Sequence, residues 1–122
     1  MPQIPLSIQI QKHPSGERVR IPRADVNKVF CTHRRVFEGE EHLWELSHIA
    51  SARRIATFSS QEDARLFGAE FWNLLPLPLK TVLQNFQDHR DLEKHLERLR
   101  KARKRTINRL RIKPVYLEFD GA

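Results

Sequence analysis

Apolar and polar residues alternate along the first part of the chain. Apolar residues occupy every second position from Ile4 to Ile10 and again at Val19 and Ile21, on either side of a His-Pro-Ser-Gly sequence. A period of two is typical of strands with one buried face, and His-Pro-Ser-Gly is typical of a turn. The pattern predicts an N-terminal hairpin, and Pro5 favours an edge position for its first strand.

Three shorter runs between residues 29 and 58 also have strand composition. They cover residues 29–33, 43–49 and 54–58, and residues 36–37 are similar in character. Short β-rich runs separated by brief connections are typical of antiparallel pairing. The last two runs predict a hairpin around residues 50–52, although Ala-Ser-Ala is a poor turn sequence.

The spacing of apolar residues becomes helical after residue 59. Either Ser59 or Ser60 can cap a helix that ends before Pro76, and Pro78 can occupy the first turn of a second helix. Asp88 can cap a third helix that continues to about residue 113, where Pro114 stops it. Residues 115–119 alternate again and predict a closing strand.

This order of elements predicts an α+β fold. A small antiparallel β-sheet, built from the N-terminal strands and a C-terminal strand, is expected to pack against two or three α-helices, the last of them long and basic. The 122 residues suit a single domain. Within it, residues 1–58 are mainly strands, residues 60–113 are helices and residues 115–119 are a strand.

Positive charge is concentrated in one segment. The chain has a net charge of +7, yet residues 98–113 alone contain nine Lys and Arg and no Asp or Glu. The remainder of the chain is therefore slightly acidic, and its middle, residues 36–97, is clearly so. Local basicity of this kind points to a binding surface rather than to a general surface property.

The basic segment coincides with the third predicted helix. At 100° per residue, Leu92, Leu96, Leu99, Ile107 and Leu110 share one stripe, the bases lie on its two shoulders, and Arg103 falls inside the stripe. Arg forks bidentately onto phosphate, so the helix predicts contacts to a polyanion. Bases near the N-terminal strands extend the candidate set. The candidate nucleic-acid-binding residues are Arg98, Arg100, Lys101, Arg103, Lys104, Arg105, Arg109, Arg111, Arg34 and Arg35.

The function predicted from this helix is that of a small nucleic-acid-binding accessory or regulatory protein. The sequence does not distinguish DNA from RNA. The alternative is a protein-interaction module, such as an inhibitor, a regulator or a subunit of a larger assembly, whose charge-segregated surfaces face an acidic protein partner. A third interpretation is a solvated helix, because acidic residues in its first half and bases in its second half complement the macrodipole.

A short run resembles a DNA-binding module. Phe58-Ser-Ser-Gln-Glu-Asp-Ala64, preceded by Trp44 and the pair Arg53-Arg54, looks like the three-strand-plus-helix DNA-binding module of tyrosine-recombinase arm domains and AP2-like domains. The resemblance covers about a quarter of the chain and implies an aromatic residue on a strand and a basic turn ahead of the helix. The family's glycine-bearing turn is absent, and Glu45 stands at a strand position where a base would be expected. Taken alone, the Arg53-Arg54 pair fits an ordinary exposed sheet face.

Arg90 and His95 form an Arg-x4-His motif that resembles the one in HEPN ribonucleases. Such a pair could polarise a phosphate and transfer a proton. However, HEPN domains are entirely helical, and a match of this length arises easily by chance in an Arg-rich chain. The prediction is therefore that the protein is not an enzyme.

Cysteine and histidine content adds little chemistry. Cys31, His33, His42 and His48 could surround zinc, but the Cys-x-His spacing is poor and no second close pair exists. No metal or other cofactor is expected. A single cysteine suits a reducing compartment, and no signal peptide or membrane span is predicted, so the expected location is cytoplasmic.

Overall fold

A computed structural model describes residues 5–12, 17–35 and 37–117, and the side chains from residue 26 onward within those ranges. The described residues form six strands: β1 Pro5–Lys12, β2 Glu17–Asn27, β3 Phe30–Arg34, β4 Trp44–His48, β5 Arg53–Phe58 and β6 Tyr116–Leu117. Four helices lie between β5 and β6: α1 Gln61–Leu74, α2 Leu77–Gln84, α3 His89–Glu93 and α4 Leu96–Leu110.

The strands form one antiparallel sheet in sequence order, from β1 at one edge to β6 at the other. α1 packs against β3, β4 and β5, and α4, the longest helix, packs against α1. This arrangement confirms the predicted α+β fold, including the closing strand after Pro114. Residues 118 and 119 of that predicted strand lie outside the described residues.

The N-terminal hairpin is confirmed in register, with Ile10 opposite Val19 and Ile8 opposite Ile21. Its predicted turn, residues 13–16, lies outside the described residues. β2 is longer than the sequence indicated, because it continues through Pro22 to Asn27. The register shifts in this region, and a bulge is one of the few places where a strand tolerates a residue without an N–H group.

The core lies between the sheet and α1. Phe30, Leu46 and Phe58 on the sheet and Phe67 and Phe71 on α1 are all at most 1% exposed. Of the two serines predicted as possible caps of α1, Ser60 is the cap, since its Oγ accepts a hydrogen bond from the Asp63 N–H at 3.2 Å.

Helix α1 lies unusually close to β4 at Gly68. A Cβ atom at that position would lie 2.9 Å from Cδ1 of Leu46. The absence of a side chain therefore lets the helix backbone approach the sheet, which explains a glycine in the interior of a helix.

The single third helix predicted from residue 88 to 113 is two helices. Asp88 caps α3 as expected, because its Oδ1 accepts a hydrogen bond from the Arg90 N–H at 2.8 Å. The chain then leaves helical geometry at His95, and α4 begins at Leu96. The break lets α3 contact α2 while α4 contacts α1. α4 ends at Leu110, with Arg111 in the left-handed conformation.

A buried histidine stabilises the turn between β4 and β5. His48 Nδ1 accepts a hydrogen bond from the Ser51 hydroxyl at 2.7 Å, and His48 Nε2 donates to the Leu83 carbonyl at 2.8 Å. The turn also places Ala52 at a φ of 60°. These side-chain contacts, rather than turn-forming residues, connect the hairpin to α2 and explain why Ala-Ser-Ala can form it.

The face of the sheet that points away from α1 is polar, yet it is buried. His33, Glu45, Ser47 and Thr57 lie on it and are 0% exposed. β1 lies close to β5, so the sheet curls over this face. Buried polar groups must find partners within the protein, which makes this face a constraint on the whole fold.

The turn between β2 and β3 generates a first prediction. Asn27 faces Phe30 across a two-residue loop, and exposed Lys28 has a φ of 60°. Glycine is favoured at the first position of such a loop, because other residues are strained at positive φ. Lys28→Gly should raise the free energy of unfolding, measured in urea, by roughly 0.5–1 kcal/mol. Lys28→Ala should leave it nearly unchanged, and equal stability of the glycine variant and the wild type would contradict this account.

Candidate nucleic-acid interface

Helix α4 is anchored along one side. Leu99 and Ala102 are at most 3% exposed, and Thr106 is fully buried, with its hydroxyl donating to the Ala102 carbonyl at 2.8 Å. These residues face the core beside α1. The opposite half of the helix is exposed, so its orientation is set by packing and not by its charged residues.

Seven basic residues are exposed on or next to α4, and they are called the basic surface here. Its members are Arg98, Arg100, Lys101, Lys104, Arg105, Arg109 and Arg111. Within the described part of the chain, five of them form no ion pair, namely Arg98, Lys101, Lys104, Arg105 and Arg111. The carboxylates of the described residues therefore leave most of this charge unneutralised.

Two carboxylates, those of Glu97 and Glu70, could form ion pairs with the basic surface. Glu97 precedes Lys101 by one helical turn, but the two side chains form no ion pair among the described residues. Arg109 Nε lies 3.1 Å from Glu70 Oε1 of α1, and the Arg109 side chain is 66% exposed. An exposed pair of this kind contributes at most about 1 kcal/mol, so Arg109 can exchange Glu70 for another anion.

Arg103 does not belong to the basic surface. It is 6% exposed, and its Nη1 donates to the Ile55 carbonyl at 3.3 Å. The strand pairing of β4 and β5 shifts at this point, so that Ile55 is the extra residue of a bulge. Arg103 reaches a carbonyl that the bulge displaces from the regular ladder, which corrects its prediction as a phosphate contact.

Arg35 is also buried, which corrects the second such prediction. It is 9% exposed, and its Nη1 donates to Glu45 Oε2 at 2.9 Å and to Thr57 Oγ1 at 3.0 Å. Its Nε donates to Glu40 Oε1 at 3.0 Å. A guanidinium held by two carboxylates inside the protein is not available to a phosphate.

Arg34 is exposed at the end of β3, as a phosphate contact requires. Its guanidinium lies 4.8 Å from the Trp44 ring centroid, and its Nη1 donates to the Glu41 carbonyl at 3.2 Å. Both contacts hold it against its own hairpin. Its charge is therefore presented from a strand end, whereas the basic surface is presented from a helix.

Glu45 is the centre of a buried charge cluster that the sequence did not indicate. Arg54 Nε lies 3.3 Å from the same Oε2 atom that binds Arg35, and Arg54 is 5% exposed. The Phe37 ring lies 4.4 Å from the Arg35 guanidinium and 5.0 Å from that of Arg54. One carboxylate and the face of one ring thus stabilise two buried cations. Arg54 is accordingly not on an exposed sheet face.

A serine and a histidine lie beside this cluster. His33 Nδ1 donates to the Arg34 carbonyl at 2.8 Å, and His33 Nε2 accepts from the Ser47 hydroxyl at 3.0 Å. Glu45 Oε1 is 3.9 Å from His33 Nδ1. Hydrolases use such a set for nucleophilic catalysis, but Ser47 is 0% exposed and no substrate reaches its hydroxyl. The hydrogen bonds of His33 instead satisfy its own ring nitrogens and the buried Ser47 hydroxyl.

The four residues considered as zinc ligands do not surround a common point. Cys31 and His33 share the polar face of β3, His48 bonds to Ser51 and Leu83, and His42 is exposed. No group of three candidate ligands exists among the described residues. Burial raises the pKa of the Cys31 thiol to about 12, with Glu45 adding to the shift, so the thiol stays protonated.

Arg90 and His95 do not line the same cleft. The Arg90 side chain is 86% exposed and pairs with Asp88 at 3.4 Å. His95 is half-buried and lines a cleft with Asp91 and Lys94, and Arg90 is not among the residues that line it. The geometry therefore adds nothing to the ribonuclease interpretation.

One feature next to the basic surface depends on tertiary structure alone. A groove between the start of α2 and α4 is lined by Pro76, Leu79, Ala102, Arg98, Lys101 and Arg105. The first two residues lie about 20 positions before the others in sequence. No sequence pattern marks such a groove, because it exists only once the two helices pack.

Comparison with protein-family models, with curated proteins and with solved structures found no match for this chain. No helix in the described part of the chain combines the length and the apolar character needed to cross a membrane.

The buried cluster generates a second prediction. Glu45→Gln removes the buried carboxylate that Arg35 and Arg54 share, so the free energy of unfolding in urea should fall by about 3–5 kcal/mol. Glu40 offers a matched control, because it binds the same Arg35 from a partly exposed position. Glu40→Gln should cost less than about 1 kcal/mol. Similar losses in both variants would show that Glu45 has no special role.

His33 generates a third prediction, on pH dependence. Burial lowers the pKa of His33 to about 4, with the charge of Arg54 contributing and the hydrogen bond to Arg34 opposing the shift. Between pH 6.5 and 4 the unfolded chain therefore binds the extra proton, and acid favours unfolding. The free energy of unfolding should be level above pH 6.5 and fall by on the order of 3 kcal/mol toward pH 4.

His48 contributes in the same direction, because burial also lowers its pKa. The variant His33→Gln should therefore show a shallower decline with acid than the wild type, but not a flat profile. Urea titrations at several pH values would measure both. An unchanged slope in His33→Gln would exclude His33 as a source of the acid sensitivity.

Proposed function

We propose that this protein binds nucleic acid through the basic surface of α4, as a small accessory or regulatory protein. The observation that carries the proposal is the display of seven exposed bases from one anchored helix, five of them without an ion pair among the described residues. A concentration of unneutralised charge costs stability through self-repulsion, and a polyanionic partner relieves that cost.

The spacing of the basic residues along α4 suits a ligand whose negative charges repeat. Lys101, Arg105 and Arg109 follow one another at intervals of one helical turn, which places them about 6 Å apart along the axis. Phosphates repeat along a nucleic-acid strand at a comparable step. A rigid helix can therefore meet successive phosphates without reordering its backbone.

The type of basic side chain supports phosphate as the ligand. Five of the seven members of the basic surface are arginines. The guanidinium group is planar and binds phosphate oxygens through two parallel hydrogen bonds, and it is less strongly hydrated than an ammonium group. Carboxylates of an acidic protein would also satisfy arginine, so binding must be measured with both kinds of partner.

A salt titration tests the proposal. Fluorescence anisotropy of labelled duplex DNA, single-stranded DNA and structured RNA would give the affinity between about 50 and 200 mM salt. If five or six lysines and arginines contact phosphates, the logarithm of affinity should fall with the logarithm of salt concentration. The slope should be roughly −4 to −5 for at least one of the three nucleic acids. No binding to any of them at low salt would reject the proposal in favour of a protein-interaction module.

A charge-matched pair of variants makes the fourth prediction. Replacing Lys101, Lys104 and Arg105 by alanine should make the salt slope shallower by about 2–3, since each lost phosphate contact releases fewer counterions. The control replaces three exposed bases elsewhere, Lys28, Arg90 and Lys94, by alanine. It should leave the slope close to that of the wild type. Equal effects of the two triple variants would mean that net charge, not the basic surface, governs binding.

A further inference from the structure

The groove between α2 and α4 has a distinct chemical make-up. Its floor consists of Leu79 and Ala102, which are 1% and 3% exposed, with exposed Pro76 at one side. Its other three lining residues are the cations Arg98, Lys101 and Arg105. We call this feature the cationic groove. It belongs to one shoulder of the basic surface, and Lys104 lies on the other shoulder.

The cations of the groove are available to a ligand. Arg98, Lys101 and Arg105 are exposed and form no ion pair with described residues. The six lining residues, all in the described part of the chain, include no carboxylate. A complementary ligand therefore carries several negative charges beside a flat apolar part.

We propose that the cationic groove binds single-stranded nucleic acid, with one unpaired base against the floor and the neighbouring phosphates on Arg98, Lys101 and Arg105. The inference rests on the proposed function and assigns it a class of ligand. An unpaired nucleotide is the unit of nucleic acid that combines an accessible apolar face with flanking negative charge.

The dimensions of the groove favour an unpaired base over a duplex. Its volume is about 150 Å³. A cavity of that volume is known to accommodate a single benzene ring, so a base has room to enter. The base faces of a duplex are hidden in the stack, and its outer surface presents only sugar, phosphate and the edges of the bases. A duplex would meet the three cations but would leave the apolar floor without a partner.

The basic surface also explains how a strand would continue from the groove. Arg109 follows Arg105 by one helical turn on the same shoulder. A strand that leaves the groove along α4 therefore meets another cation, whose ion pair with Glu70 is exposed and weak. Because the floor is aliphatic and offers no base-specific hydrogen bonds, binding should tolerate different bases.

The fifth prediction compares two exposed lysines. Lys101 lines the groove, whereas Lys28 lies in the turn between β2 and β3, outside the basic surface. Lys101→Glu should weaken binding to a labelled oligothymidylate on the order of tenfold, because it places a carboxylate beside the bound phosphates. Lys28→Glu makes the same change of charge and should weaken binding by no more than about threefold. Thermal unfolding would verify that both variants are folded.

A second measurement tests the role of the base. An abasic oligonucleotide of the same length keeps the phosphates and loses the bases. It should bind the wild type at least about fivefold more weakly than oligothymidylate, and a duplex of equal length should also bind more weakly per strand.

The outcomes separate the two proposals. Equal binding of the abasic and thymidine strands would overturn the cationic groove as a site for a base and leave phosphate binding by α4 standing. Equal effects of Lys101→Glu and Lys28→Glu would overturn the groove as the place where the phosphates bind. Absence of binding to every nucleic acid at low salt would overturn the proposed function together with this inference.

Discussion

The ion pairs of the buried Glu45 carboxylate are the interaction on which this fold most depends. It is fully buried and lies within ion-pair distance of both Arg35 and Arg54. Breaking a buried ion pair is very costly, so the polar face of β3, β4 and β5 depends strongly on this residue. Beside it, the Ser47 hydroxyl donates to His33, and Thr57 accepts a hydrogen bond from Arg35. The sheet is therefore held together on one face by aromatic and aliphatic packing and on the other by charge.

Burial separates the basic residues into two groups. Arg35, Arg54 and Arg103 are directed inward and held by carboxylates or by a carbonyl. The bases of the basic surface are directed outward, and most have no ion pair among the described residues. The bulge at Ile55 links the groups, because it supplies the carbonyl that Arg103 binds and so helps to fix α4 on the sheet. A helix fixed in this way presents its charges in a constant arrangement.

Much of the fold could be predicted from periodicity. The alternation from Ile4 to Ile10, the cap at Ser60 and the stop at Pro114 each marked an element that is present. The break at His95 could not be predicted, because no proline or glycine marks it and the apolar stripe continues across it. The length of β2 was underestimated because Pro22 lies within a shift of register, where the usual rule against proline in strands is relaxed.

The site was only partly predictable, for a related reason. The exposed bases of α4 follow from helical geometry, so their positions could be anticipated. Whether an arginine is buried depends on long-range partners, and sequence spacing does not show that Glu45 lies beside Arg35 and Arg54. Arg103 did have a signal, since it fell within the apolar stripe, but its carbonyl partner depends on a bulge 48 residues away. The cationic groove likewise requires two packed helices.

Arginine-specific chemical modification followed by mass spectrometry tests the division of the bases most directly. In the free protein, Arg98, Arg105 and Arg111 should react rapidly, and Arg35, Arg54 and Arg103 should react only under unfolding conditions. Saturation with single-stranded nucleic acid should then protect the first group and leave the second unchanged. Rapid modification of Arg35, Arg54 and Arg103 in the folded protein, or undiminished modification of the α4 arginines in the complex, would contradict the account.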